Sequence, residues 1–163
     1  AMIRKVIIKI RKEKLPEPSV KGSAGSFFKN PVVSMEQFLK IEAAAKAEHG
    51  SDYKVPHYVL GSYENVTAAS PAISNDPSVI SSEDAVRVEK SPSVKIPAAW
   101  MIEQCGWKGK RSGGAAVWDK QPLVIVNHTG EAYPEEIVGL EKRIISSVKT
   151  KFGVELHPEV EHI

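Results

Sequence analysis

The sequence is poor in cysteine, in long apolar runs and in charge of one sign. Its single cysteine, Cys105, cannot form an internal disulfide, which favours a reducing, cytoplasmic setting. No apolar run approaches the ~20 residues that a membrane-spanning helix needs, and the first residues lack the apolar region of a secretion signal. With 22 basic and 20 acidic residues, the net charge of +2 is too balanced for a nucleic-acid binder. We therefore expect neither a membrane nor a nucleic acid as partner, and the scattered histidines predict no metal site.

Four segments have the pattern of a helix. Apolar residues recur with helical spacing from Ile3 to Ile10, and although part of this stretch also alternates as a strand would, we favour the helix. A capping box that starts at Ser34 predicts a second helix, which ends near His49. The other two predicted helices span residues 97–105 and 134–152.

Three further segments are predicted to be strands. Residues 113–118 and 123–127 are typical of two joined strands, and residues 154–160 alternate between apolar and polar side chains. From about residue 60 to 93 the composition shifts to serine, proline, alanine and asparagine, so we interpret this stretch as an insertion on the surface. With 42% hydrophobic residues in 163, we predict one α+β domain, a small mixed or antiparallel sheet flanked by helices.

A glycine-rich stretch at residues 22–31 combines a turn with a hydroxyl, an amide and a cation. Gly22 and Gly25 can adopt positive φ, so that successive backbone N–H groups could converge on an anion, with Ser26 beside them. The two phenylalanines that follow would anchor this serine by apolar packing. The stretch is therefore predicted either to present Ser26 as a positioned donor or to be a plain turn before a strand.

Four ionisable side chains share one face of the last predicted strand, namely Glu155, His157, Glu159 and Glu161. Like charges at this spacing favour the protonated form of one carboxylate. Partial burial would make that group a proton donor, whereas a fully solvated face would do no chemistry.

Cations are concentrated after Trp107, where Lys108, Lys110 and Arg111 fall within four residues of one predicted turn. These side chains could bind phosphate groups or simply be solvated. Lys14 is placed differently, at the end of the first predicted helix, where a lysine normally complements the helix dipole.

The stretch at residues 22–31, Gly-Ser-Ala-Gly-Ser-Phe-Phe-Lys-Asn-Pro, closely resembles the Gly-Asn-Ala-Gly-Ser-Phe-Phe-Lys-Asn-Pro signature of the MurB family, the UDP-N-acetylenolpyruvoylglucosamine reductases. Similar motifs cover nearly the whole chain except its middle: Lys14-Leu15-Pro16, residues 95–105, Lys108-Gly109, residues 113–117 and Pro158-Glu159-Val160. The resemblance implies the reduction of UDP-N-acetylglucosamine enolpyruvate to UDP-N-acetylmuramate in peptidoglycan synthesis. In that family NADPH reduces FAD, and FAD passes hydride to the enol ether.

The resemblance also implies roles for individual residues. Ser26 matches the acid that protonates the substrate, and Glu159 matches the group that stabilises the developing charge. Five positions match contacts to the nucleotide and its pyrophosphate: Lys14, Asn30, Tyr58, Lys108 and Gln121. The chain departs from the family pattern at Ser23, His157 and Glu161, where the family has asparagine, glutamate and arginine.

In this family a flavin-binding portion precedes the segment that begins to match at Ile3, and this sequence does not contain it. We therefore expect residues 1–163 to be the C-terminal, substrate-binding part of an FAD-dependent NADPH oxidoreductase, with FAD held mainly upstream and with this part inactive alone. One alternative is a stand-alone UDP-sugar binding module without redox activity. A weaker one is a scaffold whose glycine-rich turn binds nothing.

Overall fold

The computed structural model describes residues 2–17, 20–60 and 92–160, which contain four helices and seven strands. The helices are α1 (Met2–Lys14), α2 (Met35–His49), α3 (Ala98–Gln104) and α4 (Pro134–Phe152). The strands are β1 (Ser23–Ser26), β2 (Val32–Ser34), β3 (Tyr58–Leu60), β4 (Ser93–Lys95), β5 (Arg111–Ser112), β6 (Ala115–Val117) and β7 (Val124–Asn127). The predicted α+β class is confirmed.

The strands form two small antiparallel sheets. The larger sheet has the order β1-β7-β6-β5, and the smaller one has the order β2-β4-β3. In the larger sheet Val126 on β7 lies opposite Ser23 on one side and Ala116 on the other. In the smaller sheet Val94 on β4 lies between Val33 and Val59.

The two faces of the larger sheet bury different apolar clusters, because side chains alternate along each strand. One face contributes Ala115, Val117 and Ile125 to the main core, in which residues from α2, α3 and α4 are also buried. The other face carries a second, smaller cluster. Its members are Ala116, Val124 and Val126, with Leu15 and Trp118 packed against them.

All four predicted helices are present, but their apolar faces are not equally covered. Helix α2 begins after Ser34, whose Oγ accepts a hydrogen bond from the N–H of Gln37 (3.2 Å), and it is followed by Gly50 at a φ of 104°. The segment from Met2 to Lys14 is a helix, as we predicted, and not a strand. Its apolar side chains are nevertheless exposed, since Ile3 is 78% and Ile7 is 51% accessible to solvent.

The last predicted strand is wrong as a regular strand. Residues 154–160 make one isolated bridge, between Pro158 and Phe28, and lie in no sheet. Proline lacks the N–H that a continued ladder needs. The alternation still describes burial correctly, since Val154 and Leu156 are buried and Glu155 is exposed.

The predicted insertion at residues 60–93 falls almost entirely outside the described residues. Its two flanking positions, Leu60 on β3 and Ser93 on β4, lie opposite each other in the smaller sheet. The chain therefore leaves and re-enters the described domain at neighbouring strands.

Candidate functional site

The first part of the glycine-rich stretch, Ser23–Ser26, is strand β1 and not the predicted nest of amides. Ser23 lies opposite Val126 and Ser26 lies opposite Val124, so three steps along β1 match two along β7. Gly25 has a φ of 80° at this irregularity, whereas Gly22 has no positive φ. An extra residue of this kind bends a strand and changes the direction of the next side chain. Ser26 follows the irregularity directly and is exposed.

Glu159 is held next to Ser26 by the backbone. Its N–H donates to the carbonyl of Phe27, the residue after Ser26, over 2.8 Å, and the N–H of Phe27 donates to the carbonyl of Leu123 over 2.8 Å. Phe27 is only 3% exposed, so the core anchors this junction. An exposed hydroxyl and an exposed carboxylate therefore extend from neighbouring positions of one fixed piece of backbone.

Among the acidic residues of the last segment, Glu155 is paired with a lysine. Glu155 accepts a hydrogen bond from Lys149, with 2.8 Å between Oε2 and Nζ. This hydrogen bond and the positive charge of Lys149 lower the pKa of Glu155 from its ordinary value. Glu155 is therefore not the carboxylate that takes the predicted protonated form, and Glu161 lies outside the described residues.

Lys14 and Gln121 lie across β7 from Ser26. The N–H of Trp118 donates to the carbonyl of Val124 (2.8 Å), and the N–H of Val124 donates to the carbonyl of Gln121 (3.0 Å). The indole Nε1 of Trp118 donates to the carbonyl of Lys14 (3.0 Å). Since Val124 also lies opposite Ser26, the single strand β7 separates Ser26 from Trp118 and the end of α1.

Asn30 makes a structural contact that the sequence analysis missed. Its Oδ1 accepts a hydrogen bond from the N–H of Ala98, the first residue of α3, over 2.9 Å. The residue before that helix, Pro97, has no side-chain group that could cap it. Asn30 therefore satisfies one of the N–H groups that a helix start leaves unpaired.

No described contact joins Tyr58 or Lys108 to the junction at Ser26. Tyr58 lies on β3 in the smaller sheet and is 65% exposed. Lys108 forms an ion pair with Glu103, with 2.7 Å between Nζ and Oε1, and both side chains are nearly half exposed. The described contacts thus link the backbone of four predicted site residues around β7: Ser26, Glu159, Lys14 and Gln121.

A second group of basic residues is not recognisable as a unit in the sequence. Its members are Lys21, Arg111, Lys120 and His128, which line a concavity beside Trp118. They come from four separate segments, so no short spacing joins them. The one usable signal was the alternation along β7, because His128 follows two apolar residues of the same face at steps of two.

Three further features of the described residues concern a reactive thiol, a metal site and a membrane-spanning helix. Cys105 packs against the core, and burial raises the pKa of its thiol, which disfavours the reactive thiolate, as expected of a core residue. Within residues 2–17, 20–60 and 92–160, no three or more His, Cys, Asp or Glu residues are grouped so that they could hold a metal ion. In the same part of the chain, no helix has the length and apolar character to cross a membrane.

The fold and the site define a class of protein, an α+β domain with a serine hydroxyl and a carboxylate at one junction and a lysine-bearing helix end nearby. Comparison with known families identifies the family within this class. The family model described as UDP-N-acetylenolpyruvoylglucosamine reductase, C-terminal domain, matches residues 17–163. The chain therefore belongs to this C-terminal domain family.

Curated relatives bear the same name. The chain is 42% identical to the UDP-N-acetylenolpyruvoylglucosamine reductase of Bacteroides fragilis over 162 residues, which make up 99% of this chain and 38% of that protein. The reductase of Porphyromonas gingivalis is 39% identical over 161 residues, or 99% of this chain and 37% of that protein. The reductase of Chromobacterium violaceum is 40% identical over 157 residues, which make up 96% of this chain and 35% of that protein. The chain thus spans well under half the length of these relatives.

Proposed function

We propose that this chain is the substrate-binding and proton-donating part of a UDP-N-acetylenolpyruvoylglucosamine reductase, which acts in peptidoglycan synthesis in the cytoplasm. The substrate is UDP-N-acetylglucosamine enolpyruvate, the product is UDP-N-acetylmuramate, and NADPH is the reductant. The observation that carries the proposal is the junction at Phe27, from which Ser26 and Glu159 extend at exposed neighbouring positions. Membership of the family supports it.

Ser26 supplies the proton in this proposal. Reduction of the enolpyruvyl double bond adds a hydride to one carbon and a proton to the other. Negative charge develops as an enolate at the carbon that bears the carboxylate, and the Ser26 hydroxyl donates its proton there and recovers one from solvent. A hydroxyl is a weak acid, but an enolate carbon is strongly basic, so positioning matters more than acidity.

Glu159 acts on the developing charge, and the other predicted residues hold the nucleotide. A carboxyl group beside the substrate carboxylate can stabilise the enolate as a neutral donor or through a bound water. The remaining contacts belong to the nucleotide and its pyrophosphate: Lys14, Asn30, Tyr58, Lys108 and Gln121. Lysine ammonium groups are suited to the phosphate oxygens.

The hydride requires FAD. The cation-lined concavity beside Trp118 measures about 250 Å³, which is below the ~300–1,000 Å³ of pockets that enclose organic ligands, so it does not fit a flavin. We propose that FAD is held mainly by the part of the relatives that this chain does not cover. Stoichiometric yellow flavin that purifies with the 163-residue chain would contradict this.

The exposed face of α1 supports such an upstream partner. Helix α1 precedes the residues that the C-terminal family model matches, yet the Bacteroides fragilis relative matches 99% of the chain. The helix therefore corresponds to a part of the relatives that lies before the C-terminal domain. A contiguous exposed apolar face usually marks a contact surface. We infer that Ile3 and Ile7 pack against the upstream portion of the full-length protein.

The test is a stopped-flow measurement on the full-length protein, in which flavin absorbance reports each half-reaction separately. We expect Ser26→Ala to leave flavin reduction by NADPH unchanged and to slow reoxidation by the enolpyruvyl substrate by about 10²–10⁴-fold. Ser26→Cys retains part of the rate, because a thiol can also donate a proton. Ser23→Ala, at the other end of β1, is the matched control and reoxidises normally. Reoxidation of Ser26→Ala at the parent rate would make Ser26 a structural residue and overturn the proposal.

A further inference from the structure

A basic concavity lies on the face of the larger sheet that points away from the main core. It has a volume of about 250 Å³, and the apolar Ala116 and Val126 of the second cluster line it from the sheet. The ring of Trp118 also lines it. The polar part of the lining consists of Lys21, Arg111, Lys120 and His128, together with Asp119.

Positive charge exceeds negative charge in this lining. Lys21, Arg111 and Lys120 form no ion pair with a carboxylate in the described part of the chain, whereas five other lysines do. Asp119 is the one carboxylate among the lining residues. Because the whole chain carries a net charge of only +2, this concentration of cations is local.

Lys21 links the cations to His128 and to the aromatic wall. Its Nζ lies 3.1 Å from Nδ1 of His128 and 5.2 Å from the centroid of the Trp118 ring. An ammonium group cannot accept a hydrogen bond, so Nδ1 accepts, and the neutral ring carries its proton on Nε2. Burial lowers the pKa of His128, and the charges of Arg111 and Lys21 lower it further. An anion that enters would oppose these charges and allow the ring to take up a proton.

We propose that this concavity binds a phosphate group of a nucleotide. Ammonium, guanidinium and imidazole groups that line one space match the several oxygens and the charge of a phosphate. The Trp118 indole N–H also donates a hydrogen bond to the Lys14 carbonyl. The concavity therefore adjoins Lys14, which is predicted to contact the nucleotide. Only the identity of that nucleotide rests on the proposed reductase function. The phosphate site itself stands on the geometry of the lining.

Two nucleotides could supply the phosphate. One is the reductant, whose adenosine ribose carries a phosphomonoester, and the other is the nucleotide sugar, which carries a diphosphate. Both present phosphate oxygens to the same donors. Small probes that carry one kind of phosphate each can separate the two sources.

The experiment titrates the 163-residue chain with inorganic phosphate, pyrophosphate and adenosine 2′,5′-bisphosphate and follows the Trp118 indole and the His128 ring by NMR. We expect saturable shifts of both signals at millimolar concentration and a rise in the pKa of His128. Lys21→Gln and Arg111→Gln should each weaken binding by about tenfold, because each removes one charged donor. Lys142→Gln, which removes the same charge from an exposed position on α4, should leave binding unchanged.

Each outcome decides the proposal. Tighter binding of pyrophosphate assigns the site to the nucleotide sugar, and tighter binding of the bisphosphate assigns it to the reductant. Absence of saturable shifts with all three probes, or equal binding by the parent, Lys21→Gln and Arg111→Gln, overturns the proposal. The flavin reoxidation of Ser26→Ala is measured independently, so failure of the phosphate site would leave the reductase proposal standing.

Discussion

Helices α1 and α4 are both amphipathic, but their apolar faces meet different surroundings. Leu140, Ile144 and Val148 of α4 are fully buried, whereas Ile3 and Ile7 of α1 are mostly exposed. Helical spacing of apolar residues therefore identifies a face and leaves open what covers it. In α4 the partner is the core of the same domain, and for α1 we propose a partner outside it.

The two helices also differ in how they are attached. Glu136 in the first turn of α4 accepts hydrogen bonds from the N–H of Tyr133 (3.0 Å) and from the N–H of Gly114 (3.1 Å), which ties the helix to the loop before β6. Helix α1 is bonded to the domain at its end, where Trp118 donates to the carbonyl of Lys14. A helix of 13 residues is marginal in water without packing, so α1 is less stabilised within this chain than α4 is.

The largest expected difference is in the cost of losing a core side chain. Ile144→Ala should lower the free energy of unfolding of the 163-residue chain by about 2–5 kcal/mol, because it leaves a cavity in a fully packed site. Ile7→Ala should change it by less than about 0.5 kcal/mol, since its side chain is already half in water. Urea unfolding measures both. Similar losses for the two variants would show that α1 is packed in this chain.

The difference between the effects of Ile144→Ala and Ile7→Ala should become smaller in the full-length protein. If the upstream portion covers α1, Ile7→Ala there should reduce the protection of α1 amides by about 2 kcal/mol, the lower end of the range for a buried isoleucine. Hydrogen exchange of the α1 amides measures this, with Lys9→Ala on the same helix as control. Equal exchange in the short and full-length proteins would mean that nothing upstream covers this helix.

The attachment of α4 should contribute less than its core side chains. Glu136→Ala removes the acceptor for two backbone N–H groups and should cost about 1–2 kcal/mol. The neighbouring Glu135 is exposed and makes no described hydrogen bond, so Glu135→Ala should be nearly neutral. Thermal or urea unfolding compares the two variants. Equal effects would mean that first-turn charge matters here, rather than these hydrogen bonds.

The smallest expected difference is in acid stability at the helix ends. Lys149 near the end of α4 holds the pKa of Glu155 below its ordinary 4.5, mainly through a hydrogen bond. This pair therefore contributes stability above the unfolded pKa, and the contribution is lost as pH falls through the folded pKa. The pair is exposed, so the effect is small. Glu155→Gln should lose less stability than the parent between pH 6 and pH 3, and an identical loss in both would exclude the linkage.

Several local elements could be predicted from nearby residues. The Ser34 capping box and Gly50 predicted the limits of α2, and the apolar spacing predicted the buried stripe of α4. These features depend on hydrogen bonds and side-chain positions within a few residues of one another. The irregularity at Gly25 was missed, because it exists only in the pairing of β1 with β7.

The sequence by itself determined the helices, the α+β class and the motifs that carry the family resemblance, because each depends on residues close together in the chain. Only the tertiary structure decided that Glu159 lies beside Ser26, that Asn30 caps α3 and that Lys21, Arg111 and His128 share one concavity. These contacts join segments up to about 130 residues apart, and their formation depends on the pairing of strands and the burial of the core, which no local pattern records.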